Sequence, residues 1–173
     1  MPMKPLGEMT AWGIMYGSRA MNNSLFFHID RHRSTKAAKS IFGKNFEGIL
    51  VHDRYAAYNG IGKDWQSCIS HILTKAKEIN REHELLPDKE KDILVGHFCE
   101  RVMDFSSQLC DIGQKLKSGA IAWNEPTKIE KQFAKKFNKI CKQPFQFKPA
   151  ETLRTYLAGP EQKHLFTFLL NKK

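Results

Sequence analysis

One aspartate stands out because of the segment that it follows. Gly48-Ile-Leu-Val-His52 predicts a short buried strand, and Asp53 comes directly after it, ahead of a helical Tyr55–Tyr58 segment. In open α/β sheets the carboxyl ends of the strands are where ligands bind. A carboxylate there could hold Mg²⁺, an ion that prefers oxygen ligands. An isolated carboxylate does not establish a metal site, so the residues alone leave this interpretation open.

A second feature is Cys68-Ile-Ser-His71, which has the spacing of two metal ligands. A structural zinc site needs four ligands, and no second pair lies nearby in the sequence. We therefore interpret Cys68 as a core residue and His71 as a polar group at the start of a helix. The chain has four cysteines and no C-x-x-C pair, and we expect reduced thiols that pack as small hydrophobic groups.

A third feature is a lysine-rich segment that begins after Pro126, a residue well placed to open a helix. The apolar face of that helix would consist of Ile129, Phe133, Phe137 and Ile140. The candidate DNA-binding residues on its other faces are Lys128, Lys131, Lys135, Lys136, Lys139 and Lys142. Such a face suits a phosphate backbone, and it is equally typical of a solvated helix surface.

The composition is that of an ordinary soluble globular protein. The chain has 173 residues, of which 41% are hydrophobic and 27% are charged, which suits one domain. A formal net charge of +10 favours polyanionic partners, chiefly nucleic acid. No apolar run approaches the ~18 residues of a membrane helix, and the first residues lack the apolar core of a secretory signal. We therefore expect a cytoplasmic protein without a membrane partner.

Strand patterns dominate the sequence up to about residue 70. Ala11–Tyr16 and Ser24–Ile29 predict an antiparallel pair of strands. Thr35–Phe42 predicts a helix, with Ser34 as its N-cap. The pattern at Trp65–Ile69 fits either a fourth strand or the approach to a helix.

Helical patterns dominate from there on. Lys89–Lys117 predicts the longest helix, and Pro149–Leu157 and Pro160–Leu170 predict two short ones. The long helix carries an apolar stripe made of Phe98, Val102, Phe105, Leu109, Ile112 and Leu116. We interpret the stripe as the contact of a helical hairpin within the molecule, with a dimeric coiled coil as the alternative. The whole pattern predicts an α/β unit followed by a helical extension.

The central residues resemble a known family. Residues 48–59, Gly-Ile-Leu-Val-His-Asp-Arg-Tyr-Ala-Ala-Tyr-Asn, followed by Cys68-Ile-Ser-His71, are similar to the central block of the IS66 family of bacterial insertion-sequence transposases. In that family a strand ends in an aspartate, then Gly or Arg, then Tyr-x-x-Tyr-Asn, with a Cys-x-x-His-Leu segment further on. Trp12, Arg33 and the closing Leu165-Phe-Thr-Phe-Leu segment also fit the order of the family's elements. The resemblance therefore spans nearly the whole chain, with Arg54 standing where glycine is commoner.

The resemblance implies a fold, a reaction and a cofactor. The family's fold is ribonuclease-H-like with a helical insertion, and its Asp, Asp, Glu triad binds two divalent ions, Mg²⁺ or Mn²⁺, for DNA cleavage and strand transfer. Asp53 matches the second aspartate, so it is the predicted catalytic and metal-binding residue. Residues 1–85 are then expected to form a partial ribonuclease-H-like α/β region with a mixed sheet. Residues 86–173 are expected to form a mostly helical insertion in the same domain.

The other two triad positions find no match in the sequence. The first aspartate is expected on a strand ahead of Trp12, and the glutamate is expected after the Leu165–Leu170 segment. We therefore expect a DDE-type transposase fragment, truncated at both ends and inactive alone, with DNA as its partner. A non-catalytic DNA-binding or regulatory module is the alternative function, and a full-length transposase or a second copy of this chain is the further partner left open.

Overall fold

The computed structural model describes residues 14–19, 25–30, 34–43, 46–58, 60–122 and 125–170. The chain divides into two compact units, one of Met1–Gly48 with Tyr55–Lys63 and the other of Ile49–Arg54 with Asp64–Lys173. The described residues are mostly helical and contain two pairs of strands, which is consistent with the predicted α/β class. The division into regions 1–85 and 86–173 stays a prediction. None of the helices in these ranges is long and apolar enough to span a membrane.

The first unit contains an antiparallel strand pair. Strand β1 (Ile14–Arg19) pairs with strand β2 (Leu25–Asp30), as predicted. The first strand lies further along the chain than the predicted Ala11–Tyr16, whose residues 11–13 fall outside the described ranges. The pairing confirms the predicted orientation of the two strands.

Helix α1 (Thr35–Phe42) follows in the same unit. The Ser34 side chain accepts a hydrogen bond from the Ala37 N–H at 3.2 Å, so the predicted N-cap is confirmed. Helix α1 contacts a 3-10 helix at Ala56–Tyr58. This 3-10 helix lies within the segment Tyr55–Tyr58, which the sequence predicts as helical.

A tight approach of two backbone segments closes this unit. The Lys63 N–H donates to the Gly48 carbonyl at 3.1 Å, and Gly62 has a φ of +84°. A Cβ atom added to Gly62 would lie 2.6 Å from the same carbonyl oxygen. Only glycine therefore fits this position without a shift of the backbone.

The second unit begins with a parallel strand pair. Strand β3 (Ile49–His52) runs beside strand β4 (Asp64–Ser67), with Ile49 opposite Asp64 and His52 opposite Ser67. For residues 65–69 the sequence predicts either a fourth strand or the approach to a helix. The structure has both, because a strand ends at Ser67 and a helix starts two residues later. Parallel pairing brings both carboxyl ends to one edge, where the residues after His52 and Ser67 lie.

Helices make up the rest of this unit. They are α2 (Ile69–Glu84), α3 (Ile93–Ser118), α4 (Pro126–Ile140), α5 (Lys148–Ala158) and α6 (Thr167–Leu170). Helix α3 ends at a glycine, Gly119, which has a left-handed φ of +77°.

Two predicted helix boundaries are wrong. The long helix starts at Ile93 rather than Lys89, because the Asp92 side chain accepts from the Leu94 N–H and caps it there. The segment predicted as one helix, Pro160–Leu170, is a 3-10 helix at Pro160–Leu165 followed by α6. The break arises because the Leu165 carbonyl accepts from a side chain of β4, at 3.1 Å, instead of from the next helical turn.

The apolar stripe of α3 lies in the core of this unit. Phe98, Val102, Phe105, Leu109 and Leu116 are buried. They belong to one cluster with buried residues of α2, α4, α5 and the segment that ends in α6. The predicted packing within the molecule is confirmed. The apolar face predicted for α4 is confirmed as well, because its residues 129, 133 and 137 belong to the same cluster.

Candidate functional site

Asp53 follows β3 at the edge where the parallel strands end. It is partly buried. The strand pairing continues to this point, since the Cys68 N–H donates to the His52 carbonyl at 2.9 Å. This hydrogen bond fixes the backbone at the ends of both strands. Asp53 thus lies at the edge of the strand pair where α/β proteins bind their ligands.

The next residue, Arg54, has an uncommon backbone conformation. Its φ is 70°, and it is the only residue other than glycine with a positive φ in the described part of the chain. The Arg54 N–H donates to the His52 Nδ1 at 3.0 Å, so that nitrogen carries no proton. Burial lowers the pKa of His52, with Asp53 acting against that shift and His164 adding to it, which favours the neutral ring.

The Arg54 side chain lies against an aromatic ring from a distant helix. Its guanidinium carbon is 4.5 Å from the ring centroid of Tyr156 in α5. The Tyr156 hydroxyl shares a hydrogen bond with the hydroxyl of Ser67, the fully buried last residue of β4. Burial also raises the pKa of Tyr156, so the phenol stays protonated at neutral pH. The ring beneath the guanidinium is thus fixed to the end of the neighbouring strand.

A stack of three rings supports the strand pair. The Trp65 ring lies 4.6 Å from the His52 ring and 3.8 Å from the His164 ring, measured between centroids. His164 belongs to the 3-10 helix that precedes α6 and is buried. Its ring nitrogens lie 3.4 Å from an Asp64 oxygen and 3.5 Å from a Glu161 oxygen. These contacts join the last described segment of the chain to β4.

Side-chain hydrogen bonds close the outer edge of β4. The buried Gln66 amide donates to the Leu165 carbonyl at 3.1 Å and accepts from the Phe168 N–H at 2.9 Å. The Thr167 hydroxyl donates to the Trp65 carbonyl at 2.8 Å. The Gln66 side chain therefore joins β4 to a segment that lies 99 to 102 positions later in the sequence.

The metal-ligand chemistry of the described residues is limited. Among them, no three His, Cys, Asp or Glu side chains are grouped closely enough to hold an ion. Asp64 lies at the start of β4, at the opposite end of the strand pair from Asp53. Asp53 as a metal ligand therefore stays a prediction.

The C-x-x-H segment lies where β4 gives way to α2. Cys68 is the N-cap residue of α2 and is partly buried, and His71 is exposed in the first turn. All four cysteines are free. Burial raises the pKa of Cys99 to about 12 and that of Cys141 to about 11, so these two thiols stay protonated and unreactive.

The lysine face of α4 separates into two groups. Lys128, Lys131 and Lys135 line one shallow depression together with Thr127 and Gln132. These three lysines are exposed, as are Lys139 and Lys142. The prediction that Lys142 lies on this helix is wrong, because α4 ends at Ile140. A row of exposed cations along one helix suits a phosphate backbone, and the assignment of these residues to DNA stays a prediction.

Lys136 differs from the other lysines of this face. Its Nζ lies 4.3 Å from the ring centroid of Phe133 and 5.3 Å from that of Phe105. It also donates to the Gln108 Oε1 at 2.9 Å. These contacts hold it against α3, so it is less available to a ligand than its exposed neighbours.

Sequence reasoning missed the residues that support the strand end. Tyr156, Gln66 and His164 carry no motif, and their partners lie about 90 to 100 positions away. One signal was present at Arg54. A side chain stands there where the resembling family commonly has glycine, and the positive φ explains that preference.

The comparisons with known proteins give one match. The model of the family described as "Transposase IS66 family" matches residues 7–173. Comparisons with curated proteins and with solved structures gave no significant match.

Proposed function

This chain belongs to the IS66 family of transposases, and we propose that it forms part of the catalytic region of an enzyme that cleaves DNA and transfers its strands. The observation that carries the proposal is the position of Asp53. It follows β3 at the carboxyl edge of a parallel strand pair, within the segment that resembles the family's catalytic block. DNA is the substrate that the family implies.

A ribonuclease-H-like fold is the finer proposal for the strands. Three features support it: the antiparallel pair β1–β2, the parallel pair β3–β4 and the run of helices after β4. We assign residues 1–85 to the α/β region and residues 86–173 to a helical insertion in the same domain.

Asp53 suits a divalent ion of the kind that the family uses. Its carboxylate oxygens are the donors that Mg²⁺ and Mn²⁺ prefer. Two-metal sites stabilise the attacking and leaving oxygens of a phosphoryl transfer, and they need several carboxylates around ions about 4 Å apart. The described residues contain no such group of three ligands, so Asp53 would need further ligands from outside these residues to build a two-metal site.

We infer that the 173 residues by themselves do not cleave DNA, because only Asp53 matches a triad position. A nicking and strand-transfer assay with Mg²⁺ or Mn²⁺ tests this inference. We expect no product from the chain or from an Asp53→Ala variant. Robust cleavage that Asp53→Ala abolishes would contradict the inference and would assign the catalytic role to this chain alone.

The alternative function is a non-catalytic DNA-binding or regulatory module, and the depression lined by Lys128, Lys131 and Lys135 favours it. Changing these three lysines to Glu should weaken binding to duplex DNA and flatten its dependence on salt, by about one unit of slope for each lost phosphate contact. The matched control changes three exposed lysines elsewhere, Lys77, Lys89 and Lys117, to Glu.

Both triple variants change the net charge equally. If the control weakens binding as much as the first variant does, the attraction comes from net charge and not from the face of α4. If the unchanged chain does not bind duplex DNA at low salt, the module interpretation is wrong.

A further inference from the structure

Arg54 is held in a conformation that its own side chain disfavours. A left-handed φ costs a residue other than glycine about 1–2 kcal/mol, and Arg54 has a φ of 70°. Gly62, with a φ of +84°, is a position where the chain uses glycine for a similar conformation. The sequence thus retains an arginine at a backbone position that favours glycine, directly after Asp53.

The guanidinium of Arg54 is positioned before any ligand arrives. It lies over the Tyr156 ring at 4.5 Å, and that ring is bonded to Ser67 at the end of β4. When a guanidinium is stacked on an aromatic face, its N–H donors point outward along the edge of the plane. Such an edge is suited to bidentate hydrogen bonds with a planar or tetrahedral anion.

One donor on this guanidinium lacks an acceptor in the described part of the chain. The Nε of Arg54 is buried and has no hydrogen-bond partner among the described residues. A buried donor without a partner costs about 1–3 kcal/mol, and more when the group is charged. An anionic oxygen beside the terminal nitrogens of this guanidinium would offset part of the cost of burying its charge. The position beside Asp53 is where the proposed function needs a phosphate.

We propose that Arg54 binds a phosphate group of the DNA at the end of β3, through the edge of a guanidinium held flat on Tyr156. This inference rests on the proposed function and extends it to a specific contact. Arg54 would then neutralise a phosphate next to Asp53, the residue that would hold a divalent ion in the proposed function.

Binding of a fluorescent DNA duplex, followed by anisotropy at several salt concentrations, tests the contact. Arg54→Gly removes the side chain and leaves a residue that accepts the backbone conformation, so the variant should fold. We expect about a tenfold loss of affinity and a salt slope smaller by about one. Arg54→Lys should recover part of the affinity, because it keeps the charge without the fork of donors. The control is Arg101→Ala, an exposed arginine in α3, which should change neither quantity.

A second probe, inorganic phosphate, separates this inference from the proposed function. The measurement is the shift in thermal unfolding midpoint that added phosphate causes, compared between the unchanged chain and the Arg54→Gly variant. A shift that depends on Arg54, without any DNA binding, would keep the anion site and reject DNA as its source. Equal DNA affinity and equal salt slope for the chain and Arg54→Gly would overturn the inference while leaving the proposed function standing.

Discussion

The helical core and the end of the strand pair bury very different groups. The core around Phe105, Phe137 and Leu157 consists of apolar side chains that contact one another. The strand end buries Gln66 and Ser67, two polar side chains that specific hydrogen bonds hold in place. Apolar burial is favourable in any packed arrangement, whereas a buried polar group is tolerated only with its partner in place. The core therefore provides stability, and the strand end provides a fixed geometry beside Asp53.

The largest effect should come from the helical core. Phe137 is 1% exposed, and its ring lies 5.5 Å from the Phe105 ring and 6.4 Å from the Phe166 ring. Phe137→Ala should lower the free energy of unfolding by about 3–5 kcal/mol, measured by denaturant titration. The control is Leu85→Ala, because Leu85 is 78% exposed and its change should stay within about 0.5 kcal/mol. Similar costs at both positions would contradict the assignment of the core.

A smaller effect is expected from the polar contact at the strand end. Tyr156→Phe leaves the Ser67 hydroxyl buried without its partner, which should cost about 1–3 kcal/mol in the free energy of unfolding. A double-mutant cycle with Ser67→Ala checks the cause. The pair of substitutions should cost clearly less than the sum of the two single ones, and strict additivity would show that the two hydroxyls do not interact.

The relative stability of a glycine and an alanine variant should be opposite in the two regions, because the backbone conformations differ. At Arg54 the positive φ predicts that Arg54→Gly is more stable than Arg54→Ala, by about 1 kcal/mol. At Arg101, inside α3, Arg101→Ala should be more stable than Arg101→Gly by a similar amount of about 1 kcal/mol. Thermal unfolding of the four variants measures both differences. The same order of stability at both positions would contradict the strained conformation of Arg54.

The smallest effect concerns an ion pair at the rim of the helical core. Glu151 accepts hydrogen bonds from Arg154 at 2.6 and 2.7 Å and from the Phe145 N–H, and these bonds lower its pKa to about 2. Because the folded pKa lies below the ordinary value, the contribution of Glu151 is present above about pH 4.5 and is lost as the pH falls towards 2.

The test compares the chain with Glu151→Gln by denaturant titration. Their difference in stability should be larger at pH 6 than at pH 3. A difference that does not vary with pH would mean that the carboxylate is not favoured in the folded state. Partial exposure of both side chains to solvent keeps this effect small.

Much of the local structure could be predicted because it depends on neighbouring residues. The N-cap at Ser34 and the glycine that ends α3 follow from residue types at fixed positions. The stripe on α3 follows from a period that repeats along one helix. The break at Leu165 could not be predicted, since the group that captures its carbonyl lies 99 residues earlier, on Gln66.

The candidate site also has some features that the sequence could predict and others that it could not. The position of Asp53 at a strand end could be predicted from the apolar run that precedes it. The stack of Arg54 on Tyr156, and the contacts of Lys136 that distinguish it from the other lysines, could not. Both depend on which helix packs beside which strand or helix, and a single sequence carries no periodic signal for such contacts.

The sequence by itself determined the family, the strand that ends just before Asp53, most of the helices and the basic face of α4. These follow from residue types and short-range periodicity, which act within a few positions of the chain. The tertiary structure decided that β3 and β4 are parallel, that Arg54 lies on Tyr156 and that residues 164–168 bond to β4. Those outcomes required distant segments to meet, because a buried polar group is stable only when the packing of the whole unit brings its partner to it.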